Sequence, residues 1–313
     1  MIALPTSAAQ PVSLDRDAGS RESARLWDEI DAHPDSRVVL AGVGVIAMHE
    51  GDLAWMHPSA APAGERIYLG RALNMPGLAP GSPLELRLLP PAADPAADPA
   101  ADPGAELSDP HFGWTPLRQA LIAQSSTEIA LTAVALANWR AGTRHCPRCG
   151  TGLEAAQAGW SLRCTACALQ VFPRTDPAVI VRVVDANGRV LLGSNALWEQ
   201  NRYSLLAGFV EPGETLEAAV IREIAEESGL TVTQPRYLAS QPWPFPASLM
   251  LGFEATATTT EVQPDGVEIL QLRWCDRSDI TDARMLLPGA GSLARILLEE
   301  WYGAPLPEST PTA

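Results

Sequence analysis

Short apolar runs broken by glycine and proline open the chain. Arg37–Met48, Leu53–Met56, Arg66–Leu69 and Leu84–Leu89 read as strands of a small β-rich domain, with a helix over Ser20–Ile30 at its start. From Pro116 to Arg140 the apolar period becomes helical. Ile129, Val134, Leu136, Ala137 and Trp139 predict a buried face, and Ser125 with Glu128 fits a capping box. Strands are predicted over Ala178–Val184, Arg189–Leu192, Tyr203–Ala207, Thr231–Ala239, Ser248–Thr258 and Val267–Cys275. The Asp185–Gly188 turn between the first two carries an Asn-Gly hairpin cue. A helix over Ser292–Tyr302 closes the pattern. Between Tyr203–Ala207 and Thr231–Ala239, Leu216, Ala219, Val220, Ile224 and Ala225 form the stripe of another helix. Thr215 is placed to cap its start and Gly229 to stop it. Mixed strands around two main helices predict an α/β sandwich, a sheet covered on both faces.

Ala92–Pro103 falls outside this periodicity. It repeats Ala-Ala-Asp-Pro three times and reads as an exposed insert without function. Ser240–Ser248 also stands apart, because three alternating prolines stiffen the backbone and remove donors. Such a run is excluded from a central strand and presents Trp243 and Phe245 on a stiff segment suited to stacking on a flat ring.

Composition narrows the setting. A chain of 313 residues accommodates two domains and a sizeable core. Its formal net charge is -15, and all 22 basic residues are arginine. That balance argues against broad electrostatic capture of nucleic acid or of an anionic membrane. No apolar run approaches the roughly 18 residues of a membrane span. The opening Met-Ile-Ala-Leu-Pro-Thr-Ser lacks a basic segment followed by a long apolar core. A cytoplasmic protein is expected.

Two clusters carry chemistry. Cys146, Cys149, Cys164 and Cys167 form two Cys-x-x-Cys pairs, the spacing of a four-cysteine zinc site. Filled by four thiolates, such a site leaves no position open for catalysis and is structural. The fifth cysteine, Cys275, lies in a strand-like run and reads as a small buried apolar residue. The second cluster is Glu223, Glu226 and Glu227, at i, i+3 and i+4 on the helix after Thr215. Like charges on one face repel, so a cation is expected opposite. Carboxylate oxygens suit Mg2+ or Mn2+, and that ion suits a phosphate substrate. Glu214 and Arg222 read as an internal ion pair that holds the preceding loop against the helix.

The run from Gly208 to Leu230 resembles the signature of the Nudix hydrolases. Gly208, Glu214, Arg222, Glu223, Ile224, Glu226, Glu227, Gly229 and Leu230 match it without departure. Ser240–Ser248, the upstream four-cysteine module and Phe172-Pro173-Arg174 resemble the NADH pyrophosphatase branch, many members of which carry tyrosine at the position of Phe172. The resemblance covers roughly residues 110–300, is weak over the first 100, and implies a Nudix α/β/α sandwich over residues 173–303 and a zinc ribbon over 142–172; the apolar pattern itself makes 1–141 an N-terminal β-rich α+β domain. The insert occupies 91–105 and a tail 304–313.

The implied reaction is hydrolysis of NADH or NAD+ to nicotinamide mononucleotide and AMP. It uses Mg2+ or Mn2+, with one structural Zn2+ per chain. On the same resemblance Glu223 and Glu227 ligate the divalent ions, helped by the backbone carbonyl of Ala207. Glu226 ligates a further ion or polarises the attacking water, and Glu268 is the distal acid. Phe172, Phe209 and Gln241, Pro242, Trp243, Pro244, Phe245, Pro246, Ala247 and Ser248 line the nucleotide pocket, with Arg118 and Ala294 as further candidates. A homodimer is implied, and no membrane partner.

Three alternatives stay open. Arg140, Arg144, Arg148, Arg163 and Arg174 around the cysteine module would suit the phosphates of an RNA carrying an NAD-type cap. ADP-ribose or dinucleoside polyphosphates are other substrates of the same chemistry. A zinc-ribbon binding protein on a Nudix scaffold is the non-enzymatic reading, and the retained, mutually repelling acids speak against it.

Overall fold

The computed structural model describes residues 12–88, 112–120, 124–282 and 284–307; the Ala-Ala-Asp-Pro insert lies outside them. The chain folds as two compact units. One runs through Arg174 and takes in Pro244–Ala247; the other holds Thr175–Trp243 and the residues from Ser248 on.

In the first unit β1 (Leu14–Asp15), α1 (Leu26–Ala32), β2 (Arg37–Gly42), β3 (Val45–His49), β4 (Asp52–Leu53), β5 (Glu65–Ala72), β6 (Pro83–Leu88) and β7 (Gly113–Pro116) precede α2 (Gln124–Gly142). The strands form one sheet in the order β1-β5-β6-β2-β3-β4, with β7 against β3. The apolar run predicted as one strand from Arg37 divides at Gly44. Its φ of 71° lets the chain reverse between β2 and β3. The early helix is shorter than predicted: Ala18–Glu22 is a 3-10 turn and α1 starts only at Leu26. Gly19–Arg25 offers no large apolar side chain to anchor a longer helix, whereas Leu26 and Ile30 are both buried.

Helix α2 also starts later than Pro116, after β7 and a 3-10 turn over Leu117–Gln119. Its Ile129, Val134, Leu136, Ala137 and Trp139 pack into the core with Val39, Ile46, Ile67 and Leu86. Ser125 lies within α2, and the Glu128 carboxylate accepts from Ser13 N at 3.2 Å. Beyond α2, β8 (Leu153–Ala156), β9 (Ser161–Cys164) and β10 (Gln170–Val171) make a three-stranded antiparallel sheet.

The second unit contains β11 (Asp176–Val184), β12 (Val190–Asn195), β13 (Leu206–Phe209), α3 (Leu216–Ser228), β14 (Val232–Trp243), β15 (Ser248–Ala257), β16 (Ile269–Cys275) and α4 (Leu293–Tyr302). The strand order is β14-β15-β11-β12-β16, with β13 on β11; β11 and β15 are parallel. Alternation along β11 builds a core on each face. Val179, Val181 and Val183 pack with Ala219, Val220 and Ile224 of α3. Ile180 joins Leu293, Leu297 and Leu298 of α4. Cys275 is fully buried on the α4 side. Arg182 projects from the same face towards α4 and is almost fully buried. It donates to Glu254 Oε2 at 2.9 Å and to Leu297 O at 2.8 Å, so its charge is paired and hydrogen-bonded.

Two strand limits differ from the periodicity in ways that shape the site. β14 extends through Pro242, which an edge strand tolerates because no neighbour needs its missing donor. β16 begins at Ile269 rather than Val267. The Asp265 carboxylate accepts from the backbone N of Val267, Glu268 and Ile269, which turns the chain and leaves Glu268 just before the strand.

Candidate active site

Helix α3 carries the acids. Thr215 Oγ1 accepts from Ala218 N at 3.2 Å and caps its start. Gly229, with φ 69°, ends it and donates to Ala225 O at 2.9 Å. With Ala219, Val220 and Ile224 turned into the core, Glu227 is buried beside them, Glu223 is half-buried and Glu226 is exposed; Ala225, expected in the stripe, is exposed too, because it falls on the outer side of the helix.

Arg222 organises the surrounding backbone. Its Nη2 donates to Glu214 Oε1 at 2.5 Å and to Phe209 O at 2.9 Å, and its Nε to Glu214 Oε2 at 3.1 Å. Its Nη1 donates to Glu223 Oε1 at 2.9 Å and Glu226 Oε2 at 3.0 Å. Glu214 in turn accepts from Glu211 N at 2.7 Å. One planar fork thus joins the loop, the end of β13 and two acids of α3. The paired guanidinium holds the Glu214 carboxyl below its ordinary value.

Glu227 has no such relief. It is buried, and its Oε2 has no hydrogen-bond partner. Burial first, then the carboxylates of Glu223, Glu268, Asp265 and Glu226, push its pKa up to about 8. Burial likewise raises Glu223, against the pull of Arg222. Gly208 closes this corner: a Cβ there would lie 2.0 Å from Glu223 Cδ. Ala207, next to it on β13, is exposed.

An orphaned buried oxygen, an all-oxygen donor set and a glycine cradle fit a hard divalent cation. Among the described residues these carboxylates do not converge within 4.8 Å as the cysteines do. Mg2+ or a similar ion takes one or two carboxylates and completes its shell with water and phosphate.

Cys146, Cys149, Cys164 and Cys167 place their Sγ atoms within 4.8 Å of one another. The separations are 3.6 Å for Cys146–Cys167, 3.4 Å for Cys149–Cys164 and 3.7 Å for Cys149–Cys167. A tetrahedron with Zn–S bonds of about 2.3 Å has edges of about 3.8 Å, so the residues fit zinc. The two knuckles repeat one turn: Cys146 O accepts from Gly150 N and Cys164 O from Ala168 N, and Gly150 and Ala168 both have positive φ.

Residues 174–297 match the model of the NUDIX domain, and residues 142–172 match that of the NADH pyrophosphatase zinc ribbon domain. The chain is 37% identical over 192 residues to the NAD-capped RNA hydrolase NudC of Pseudomonas aeruginosa, covering 61% of this chain and 67% of that protein. The chain belongs to the Nudix hydrolase family. The NAD-capped RNA hydrolase NudC of Mycobacterium bovis is 42% identical over 191 residues, covering 56% of this Nudix chain. The match spans 61% of that relative's own length. A crystal structure of a Nudix hydrolase from Nitrosomonas europaea covers 52% of this chain and 96% of its own, at 23% identity and a TM-score of 0.43.

The remaining candidate residues of this Nudix protein divide between the units. In the second unit Phe209 is 58% exposed at the end of β13. Gln241 is buried, and both ends of its amide are taken. Its Nε2 donates to Gly291 O at 2.9 Å and its Oε1 accepts from Leu293 N at 2.7 Å, so it holds the start of α4. Ala294 is in the first turn of α4 and is buried in the core. Pro242, Trp243 and Ser248 lie on β14 and β15.

In the first unit Phe172 is exposed, and Pro244–Ala247 forms the tip of the aromatic run. Asn138 Nδ2 donates to Pro244 O at 2.8 Å, and the Arg118 guanidinium stands 4.3 Å over the Phe245 ring. Of the arginines near the cysteines, Arg140 pairs with Glu65 at 2.5 Å. Asp265, which sets the turn under Glu268, is the contributor that the periodicity passed over. The Asp265-Gly266 step before the strand was its one signal.

Proposed function

We propose that this protein is a divalent-metal-dependent hydrolase that cleaves the diphosphate bridge of an NAD(H)-type dinucleotide, either free or at the 5′ end of an RNA. The products are nicotinamide mononucleotide, in its reduced form from NADH, and a 5′-monophosphate, either AMP or the RNA end. The observation that carries this reading is Glu227. A buried carboxylate with an orphaned oxygen, surrounded by further acids, is costly unless a cation completes it. A cation among acids suits a substrate rich in phosphate oxygens. Support for the NAD-type substrate comes from the zinc ribbon match and from the printed names of the relatives.

When bound, Mg2+ or Mn2+ would neutralise phosphate charge and lower the pKa of attacking water. Glu223 and Glu227 would hold it, with Glu226 and the Ala207 carbonyl as further donors. Arg222 keeps Glu223 and Glu226 aligned and reaches no reacting atom on this reading. Glu268, whose backbone the Asp265 turn holds and whose charge reaches Glu227, would accept a proton from water. Catalysis is positioning plus electrostatics.

A homodimer belongs to the same proposal, and light scattering tests it. No helix among the described residues is long and apolar enough to cross a membrane. Turnover of NADH, NAD+, NAD-capped RNA, ADP-ribose and a dinucleoside polyphosphate with Mg2+ or Mn2+ tests the substrate. Cleavage of the first three supports the reading. Preference for ADP-ribose, with the first three intact, replaces it.

A further inference from the structure

Two segments beside Glu268 leave large apolar side chains in solvent. Leu197 is 92% exposed and Trp198 41% exposed on the loop that follows β12. Val267 and Leu270, which bracket Glu268 and Ile269, are 76% and 53% exposed. The loop and the acid are tied together: Ala196 N donates to Glu268 O at 2.8 Å, and Asn195 pairs with Ile269.

The loop is also fixed along its length. Asn195 Oδ1 accepts from Leu197 N at 2.9 Å, and Asn195 O accepts from Trp198 N at 3.1 Å. At the far end Asn201 O accepts from Leu286 N at 2.8 Å, and Arg202 pairs with Glu199. An indole held in water on an anchored loop loses little entropy when something flat covers it. Exposed apolar side chains gathered at one place mark a contact surface.

We infer that Trp198 is a specificity-determining residue whose indole stacks on one of the two flat bases of the dinucleotide, with Leu197 as its apolar flank. This rests on the dinucleotide reading above. The patch borders the acids that would face the diphosphate, so a group joined to that diphosphate is brought to it. Glu223, Glu226, Glu227, Glu268 and Asp265 nearby disfavour an anionic partner, whereas a base offers an uncharged π-face.

Steady-state hydrolysis of NADH by the full-length protein, Trp198→Ala and Trp198→Phe, with Mn2+, tests this. Trp198→Ala should raise KM by about ten-fold or more, the scale of one lost base–aromatic stack, with kcat within about two-fold. Trp198→Phe keeps a ring and should restore KM to within about three-fold of wild type. Product inhibition by AMP and by nicotinamide mononucleotide identifies the base, since only one of the two should weaken in Trp198→Ala. An unchanged KM overturns the inference, including where light scattering shows that the variant has lost self-association. So does a fall in kcat at constant KM, which would make the loop a support for Glu268 alone. Wild-type protein inert on NADH fails the dinucleotide reading itself; active wild type with an unchanged variant fails only the role of Trp198.

Discussion

Gly208 is packed against the carboxyl group of Glu223 so closely that a methyl group on its Cα would lie 2.0 Å from Cδ and 2.2 Å from both oxygens. The glycine is there for space. Gly208→Ala should therefore displace Glu223 while leaving both cores intact. Turnover should fall by about a hundred-fold, the scale of an ångström-sized misplacement, with little change in the circular dichroism spectrum. Activity within about three-fold of wild type would show that Glu223 can move without consequence.

Glu227 should trade stability for function. Its folded pKa of about 8 stands above the ordinary 4.5. A carboxyl raised in this way favours the folded state below the lower value and loses that advantage as pH rises through the higher one. Chelated wild type should lose stability between about pH 4.5 and 8 relative to Glu227→Gln, and added Mn2+ should restore it. Denaturant midpoints across that window check the sign. Turnover of Glu227→Gln should fall by at least about a hundred-fold.

Arg222 tests geometry against charge. Lysine preserves the positive charge but has no planar fork to span Glu214, Glu223, Glu226 and Phe209 O. Arg222→Lys should cost about 2 kcal/mol of stability and about ten-fold or more in turnover. Urea unfolding and steady-state rates measure both, and equal performance would reduce the arginine to a point charge. The contact to Glu226, which is exposed, contributes little to the stability figure.

The cysteine quartet predicts a separate outcome. Cys146→Ser should lose zinc, measured by metal analysis, and lower the melting temperature. Turnover per folded molecule on NADH should hold to within about three-fold. A folded, zinc-free protein as stable as wild type would remove the structural role of the metal.

The sequence made the helix of acids legible because several cues agreed there: Thr215, the apolar stripe and Gly229 all mark the same element. The cysteine spacing was legible for a similar reason, as the side chains themselves specify the geometry. Less legible were features set by distant partners. Gln241 reads as a pocket residue beside Trp243, yet its amide is spent on Gly291 and Leu293, some fifty residues on. Ala294 is on the core-facing side of α4, a placement that only the helix orientation decides. The break before Leu26 depended on the absence of apolar anchors rather than on any stop signal. The apolar period runs through Glu268 as strand because the Asp265 turn, built from backbone donors, leaves no hydrophobic trace.

Hydrolysis of NADH in 18O-labelled water, with mass analysis of both products, probes the acid group and its substrate together. With Mg2+ or Mn2+ present, reduced nicotinamide mononucleotide and AMP should form, one of them carrying a single labelled oxygen, and chelation should stop the reaction. NADH that stays intact with either metal, or is cut at the same rate without one, would contradict a cation held by Glu223 and Glu227.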